Sequence, residues 1–248
     1  MALYKTEAIV LRTRNIGEAD RVVTLYTRDR GKVEGVARGS RRAKSRLAGV
    51  TQLFTYGRYM LFSGRSLETI SQAEIAESFN GLREDLVKMA HASYVAELFD
   101  VSLEPGEPSE DLFELLRDAL YVLDRGLMPA LVVRWFELRL MDLLGYHPQL
   151  TACVGCGGDA GEARFSVREG GLLCSRCLAK DPTAIPVGRS SVEWMKRLIT
   201  TESGRLGIMR PSERDLGALE AVSRAYIDFR LPRPLKSVAF LASVRDLA

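Results

Sequence analysis

All four cysteines of the chain lie in one short window, as two CxxC pairs. Seventeen residues separate the pairs, and no cysteine occurs elsewhere among the 248 residues. Thiolates in this spacing are typical of a tetrahedral zinc site, because each CxxC turn presents two sulfurs to the same metal ion. The sequence therefore predicts a four-cysteine zinc module whose ligands are Cys153, Cys156, Cys174 and Cys177.

Two other chemistries are open to paired cysteines. Disulfides need an oxidising compartment, and the N-terminal sequence MALYKTEAIVLR lacks the basic and apolar regions of a secretory signal. A redox dithiol favours a strand-to-helix junction inside a βαβ pattern, whereas both pairs here lie in short turns, the first of them rich in glycine. Zinc is the preferred interpretation.

Four thiolates would close the coordination shell of the metal, whereas a catalytic zinc keeps one position open for water. His147 is near in sequence and could contribute to a mixed site, but a His-Pro turn after a helix is the simpler interpretation. We therefore expect one structural zinc ion, which would stabilise a segment too rich in loops to bury a core by itself.

The charge is distributed unevenly along the chain, although the formal net charge is only +3. Residues 1–65 carry fourteen basic and five acidic side chains, a net charge of +9, and residues 81–150 carry six basic and thirteen acidic ones, a net charge of −7. Hydrophobic residues make up 46% of the chain, which is typical of a globular protein, and no apolar run approaches the length of a membrane span. The uneven distribution of charge predicts a basic N-terminal part that binds a polyanion.

Alternating, β-branched segments follow one another through the first 75 residues. The candidate strands are residues 5–14, 20–28, 31–38, 52–62 and 66–73. Five short strands with one long connection after the third predict a small closed β-barrel of the OB type. An SH3-like barrel has a similar number of strands and stays open as an alternative.

The long connection contains five cations in nine residues and no acid. They are Arg38, Arg41, Arg42, Lys44 and Arg46, and residues 38–46 are termed the basic segment below. Solvated loops usually mix charges of both signs, so contact with nucleic-acid phosphates is the preferred interpretation. Most of the barrel aromatics should lie in the core, while one or two could stack on bases: Tyr26, Phe54, Tyr56, Tyr59 and Phe62.

From residue 80 onward the apolar period changes from two to about 3.6, which indicates helices. They are predicted over residues 82–101, 110–123 after the cap Ser109, 129–144, 191–201 and 212–231, the last of them ended by Pro232 and Pro234. The overall expectation is an α+β multidomain protein in which the helices on both sides of the zinc module form one bundle. The expected domains are an OB domain at 1–80, a helical part at 81–150, the zinc module at 151–180 and a second helical part at 181–248.

Catalytic motifs are missing from the sequence. It contains no GxxxxGK[ST] or GxGxxG loop, no GxSxG elbow and no HExxH pair, and it has only two histidines, His91 and His147. A group of acids is explained by its position at the start of a helix, where carboxylates favour the helix dipole: Glu107, Glu110, Asp111 and Glu114. We therefore expect no enzymatic activity.

The run from Tyr4 to Phe62 resembles the N-terminal domain of the RecO family of bacterial recombination mediators. The resemblance rests on the Gly-Glu after the first strand, the turn from Thr27 to Gly31 and the basic loop from Gly39 to Arg46. It continues through YVAELFDVSLEPGEPSEDLFELL, FELRLMDLLGYHPQL and FSVREGGLLCSRC, and weakens only over residues 200–248.

The resemblance implies a cytoplasmic, nucleoid-associated DNA-repair factor. Such a protein would bind single- and double-stranded DNA, anneal complementary strands without a nucleotide, and work with RecR to load RecA onto DNA coated by single-strand-binding protein. The acidic C-terminal tail of that coating protein would bind the helical domain. The resemblance also assigns the basic segment to DNA and the four cysteines to metal. The rival interpretations are an RNA-binding translation or transcription factor with an OB barrel and a zinc ribbon, and a zinc-dependent or redox enzyme.

Overall fold

A computed structural model describes residues 2–231 and 233–245 of the chain. Its N-terminal part is a closed barrel of five strands: β1 (Leu3–Ile16), β2 (Asp20–Thr27), β3 (Gly31–Ala37), β4 (Tyr56–Phe62) and β5 (Glu68–Glu77). Around the barrel the order is β1-β2-β3-β5-β4, with β3 and β5 parallel and the other pairs antiparallel. The predicted OB-type barrel is therefore confirmed.

Strand β2 and the middle of β1 are buried on both faces of the sheet. Side chains such as Val23 and Leu25 point into the barrel core, whereas Ile9, Val22 and Tyr26 alternate with the core positions and are also buried. The Tyr26 hydroxyl accepts a hydrogen bond from the backbone N–H of Ser109, which lies outside the barrel. Because both faces of β2 are buried, its sequence is a nearly continuous apolar run and not a strict alternation of apolar and polar residues.

The connection between β3 and β4 closes one end of the barrel. Its residues form successive turns, and β4 begins only at Tyr56, four residues later than predicted, because Phe54 adopts a φ of +71°. Val50 is buried in the barrel core, and its carbonyl accepts a 2.7 Å hydrogen bond from the Tyr59 hydroxyl. The turns thereby anchor the basic segment, which lies at their N-terminal end.

Seven helices occur in the described residues: α1 (Asn80–Glu84), α2 (Leu86–Ser102), α3 (Glu110–Asp124), α4 (Pro129–Leu143), α5 (Arg189–Thr200), α6 (Glu213–Arg230) and α7 (Ser237–Arg245). The first predicted helix is split at Asp85, whose side chain caps α2 by accepting the N–H of Lys88. Ser109 caps α3 as predicted, and Ser212, where the last helix was predicted to begin, caps α6. The helix α7 was not predicted, and Pro232, expected to end α6, lies outside the described residues.

Three short strands and one 3-10 helix surround the cysteines. The strands β6 (Arg164–Ser166), β7 (Gly171–Leu173) and β8 (Ile185–Pro186) form a sheet in the order β7-β6-β8, and the 3-10 helix spans Ser175–Lys180.

The contacts divide the chain into two compact units. The first contains the described residues of Met1–Gly126 and Leu235–Ala248, and the second contains Leu127–Pro234. In the first unit α2 packs against α3 and α7, and in the second α4 packs against α5 and α6. The second unit therefore joins helices from both sides of the cysteine module, while α1 to α3 group with the barrel. The narrower domain ranges given above stay a prediction.

Within residues 2–231 and 233–245, no helix combines the length and the apolarity needed to cross a membrane.

Candidate metal centre and nucleic-acid surface

The structure brings the four cysteines together. Their sulfur atoms all lie within 4.8 Å of one another, and the Sγ atoms of Cys156 and Cys174 are 3.9 Å apart. In a tetrahedral zinc–thiolate site two sulfurs would be about 3.8 Å apart, since each Zn–S bond is about 2.3 Å long. The cysteines are not disulfide-bonded. The cluster is therefore a donor set that could hold one metal ion.

Glycines shape the first cysteine turn. The N–H of Gly157 donates to the carbonyl of Cys153 at 2.8 Å, and Gly157 has a φ of +73°, which glycine adopts without strain. Gly155 leaves no room for a side chain, because a Cβ atom there would lie 2.9 Å from the Sγ of Cys177. The absence of a side chain at Gly155 allows the two CxxC turns to approach each other.

The cysteines differ in exposure. Cys153 and Cys174 are buried beside Leu173 and Ala184, whereas Cys156 is exposed. Burial raises the pKa of Cys153, but hydrogen bonds from the backbone N–H groups of Cys174, Gly155 and Cys156 outweigh burial and bring the pKa to about 6. The backbone of this turn thus favours the thiolate, which is the form that binds metals.

Neither histidine belongs to the cysteine cluster. His147 is exposed, and its Nδ1 lies 2.7 Å from the Oδ1 of Asp142. His91 is buried in α2, with its Nδ1 2.7 Å from the carbonyl oxygen of Val87. The group that could hold a metal consists of cysteines alone, as the sequence predicts.

The five cations of the basic segment lie together on an exposed surface of the first unit. Among the residues that the structure describes, none of the five forms an ion pair. Hydrogen bonds hold the segment against the β1–β2 turn: Arg41 donates its backbone N–H to Ala19 at 2.9 Å and its Nη1 to the Gly17 carbonyl at 3.2 Å. An ordered, uncompensated cationic surface of this kind is suited to phosphate contacts.

The barrel aromatics are mostly core residues, as predicted. Tyr26, Phe54 and Tyr59 are at most 1% exposed, and Tyr56 is half-buried with its ring 6.0 Å from that of Phe113. Phe62 alone of the five is exposed, at the end of β4. Base stacking on aromatic side chains of this group is therefore limited to Phe62.

Comparison with known proteins identifies the relatives of this chain. A family model described as Recombination protein O N terminal matches residues 1–79, and one described as Recombination protein O C terminal matches residues 83–239. The chain belongs to the RecO family. It is 45% identical over 253 residues to the DNA repair protein RecO of Symbiobacterium thermophilum, an alignment that covers 99% of both chains. It is 36% identical over 245 residues to that of Bacillus subtilis, covering 99% of this chain and 96% of the relative.

In this RecO-family chain, three further cations of the barrel are neutralised within the molecule. Arg28 binds Glu7, Glu110 and Glu114, and its guanidinium carbon lies 4.4 Å from the centre of the Phe113 ring. Sequence reasoning assigned Glu110 and Glu114 to the helix dipole alone. Their pairing with Arg28 was missed because the partners are 82 and 86 residues apart and no local pattern connects them.

The other two cations meet at Asp100 in α2. The Nζ of Lys32 lies 3.2 Å from one carboxylate oxygen of Asp100, and the Nε of Arg12 lies 3.5 Å from the other. Some of the acidic side chains of residues 81–150 therefore form ion pairs with cations of the barrel. The cations that stay available to a polyanion are concentrated in the basic segment.

Proposed function

We propose that this protein is a recombination mediator in DNA repair, acting in the bacterial cytoplasm at the nucleoid. It binds single- and double-stranded DNA, anneals complementary strands, and with RecR helps to load RecA onto DNA coated by single-strand-binding protein, whose acidic C-terminal tail it contacts. One observation supports the proposal most strongly: a chain of a DNA-repair family presents five exposed cations on an OB barrel, from Arg38 to Arg46, and none of them is ion-paired within the described part of the chain.

Annealing by such a surface needs no nucleotide and no active site. Cations lower the repulsion between the phosphates of two approaching strands, and base pairing then supplies the driving force. This interpretation agrees with a function as a binding and positioning protein rather than an enzyme.

We also propose that the metal is zinc and that its role is structural. Four thiolates would fill a tetrahedral shell, and zinc prefers this donor set. The closed shell leaves no position for water or substrate. The ion would hold the turns around Cys153 and Cys174 to the short sheet β6–β8 that supports them.

The test is strand annealing of complementary oligonucleotides coated with single-strand-binding protein, without ATP. Addition of the protein should accelerate duplex formation well above the spontaneous rate. In a separate reaction that contains RecA and ATP, this protein together with RecR should promote RecA filament assembly on the coated strand. Failure to accelerate annealing, together with tighter binding of structured RNA than of DNA, would instead support the RNA-binding alternative.

A further inference from the structure

The usual ligand face of an OB barrel is partly occupied in this protein. OB barrels commonly bind oligonucleotides across strands 2 and 3. Here Tyr26 on β2 is fully buried, with its ring 4.8 Å from that of Phe99 in α2. On β3, the Nζ of Lys32 donates to the carbonyl oxygens of Asp100 and Leu103 at 2.6 and 2.5 Å. The helices therefore block the part of this face near the β2–β3 turn.

At the opposite end of the same face, side chains of β1 are exposed. Arg14 and Ile16 are exposed near the tip of the β1–β2 hairpin. Ile16 pairs with Asp20, whose carboxylate accepts the N–H of Gly39 at 2.7 Å. Together with the contacts of Arg41 to the β1–β2 turn, this bond places the hairpin tip directly beside the basic segment.

We propose that the tip of the β1–β2 hairpin forms part of the DNA site and gives it a preference for single strands. The inference rests on the proposed function and deepens it. Arg14 extends the row of phosphate contacts that begins in the basic segment, while Ile16, which is 42% exposed, packs against a base. A single strand can offer the face of a base to an apolar side chain, whereas a duplex keeps its bases stacked.

The chain provides a matched control for Arg14. Arg12 lies two residues earlier on the same face of β1 and is also exposed, but it is paired with Glu34 at 3.3 Å and with Asp100. For Arg14, no ion pair occurs within the described ranges. If Arg14 contacts a phosphate, Arg14→Ala should lower the log–log salt dependence of single-strand binding by about 0.7, while Arg12→Ala should leave it unchanged.

Ile16 has a control of similar exposure in Ile75 on β5, which is 47% exposed. We expect Ile16→Ser to weaken binding of a single-stranded oligonucleotide about fivefold and to change duplex affinity less than about twofold. Ile75→Ser should change neither affinity. Fluorescence anisotropy at several salt concentrations measures both quantities, and circular dichroism checks that each variant is folded.

Two outcomes would overturn the inference. An unchanged salt slope in folded Arg14→Ala removes Arg14 from the DNA site, and equal weakening of single-strand and duplex binding by Ile16→Ser removes the contact with a base. The variant in which Arg41, Arg42 and Lys44 are replaced by alanine shows whether a negative result concerns the hairpin alone or DNA binding as a whole. If that triple variant loses DNA affinity while the hairpin variants keep it, DNA binding stands and only the hairpin inference fails. If all variants bind as the natural protein does, the proposed function fails too.

Discussion

At the scale of single residues, Cys174 contributes backbone hydrogen bonds as well as its sulfur to the cysteine cluster. Its backbone N–H donates to the Sγ of Cys153 at 3.3 Å, and its carbonyl accepts the N–H of Cys177 at 3.0 Å. One buried residue thus offers a donor sulfur and also positions two others through its backbone. Because a serine at this position keeps the backbone contacts, Cys174→Ser tests the contribution of the sulfur itself.

We expect Cys174→Ser to lose the zinc ion and to lower the free energy of unfolding by more than about 3 kcal/mol, because metal binding contributes directly to folding. Zinc content per chain and thermal unfolding measure the two effects. Ser175→Ala, at the exposed neighbouring position, is the control and should keep about one zinc ion per chain. Freshly purified natural protein with no zinc and four rapidly reacting thiols would contradict the prediction.

Functional residues that are close in sequence could be predicted from their spacing. Contacts between residues far apart in sequence could not. The four cysteines follow from two CxxC turns, and the exposed basic segment follows from five charges within a span of nine residues. By contrast, the bonds from Arg28 to the start of α3 depend on the way the helices pack against β2. No periodicity or spacing in the sequence indicates that contact. The acidic residues of α3 were therefore interpreted only as residues that favour the start of a helix.

At the scale of elements, the basic segment is the strongest candidate for a loss-of-function variant without loss of fold. Replacement of Arg41, Arg42 and Lys44 by alanine should reduce the log–log salt slope of single-strand binding by about two, at about 0.7 per lost phosphate contact. Stability should change by less than about 0.5 kcal/mol, since all three side chains are exposed. Annealing should suffer more than binding, because it requires two strands at once.

A control triple variant in the second unit, with Arg189, Arg205 and Arg214 replaced by alanine, removes the same charge from other exposed positions. It should keep most of the salt slope. Equal effects of the two triple variants would show that net charge, rather than the basic segment, governs binding.

The helix α7 is anchored by a carboxylate of α2. Glu97 accepts the N–H groups of Lys236 and Ser237 at 3.0 and 2.6 Å, at the start of α7. Burial alone would raise the pKa of Glu97, but these bonds and the Ser237 hydroxyl outweigh burial and lower it. The charged form is therefore favoured in the folded protein, and its contribution is present above the ordinary carboxyl pKa of about 4.5 and lost as the pH falls further.

Glu97→Gln should consequently destabilise the protein at pH 6 by about 1 kcal/mol, a modest value because the carboxylate is only partly buried. The difference in stability between the variant and the natural protein should be smaller at pH 3 than at pH 6. Urea unfolding at pH 6 and at pH 3 measures this difference in stability, and Glu104→Gln, at an exposed position, is the control. A gap that stays constant over this range would mean that the charge of Glu97 is unimportant for α7.

Among the elements, those with long periodic patterns were predicted and those set by tertiary contacts were not. The barrel strands and the helices capped by Ser109 and Ser212 follow from alternation, period and caps. The helix α7 has nine residues and depends on its contact with α2, so its sequence alone gives a weak signal.

At the scale of the whole molecule, the barrel depends on the helices that follow it. Ile9, Val22 and Tyr26 are buried although they point away from the barrel core. A fragment of residues 1–80 would expose them, whereas residues 1–126 keep α2 and α3. We expect the shorter fragment to aggregate and the longer one to be more stable and mainly monomeric.

Size-exclusion chromatography and near-ultraviolet circular dichroism of the two fragments test this expectation. Tyr26→Ser in the full chain should destabilise it by about 3 kcal/mol or more, because it removes a buried ring and leaves a cavity. A stable, monomeric fragment of residues 1–80 would show that the barrel is independent of the helices.

Internal neutralisation of Arg12, Arg28 and Lys32 has a kinetic consequence. Since these cations already face carboxylates, we expect the positive field of the first unit to be strongest at the end that carries the basic segment. An approaching DNA strand should be guided toward that end before any contact forms, so that most encounters begin in a productive orientation. The association rate should then decrease steeply as ionic strength rises, while the dissociation rate changes less.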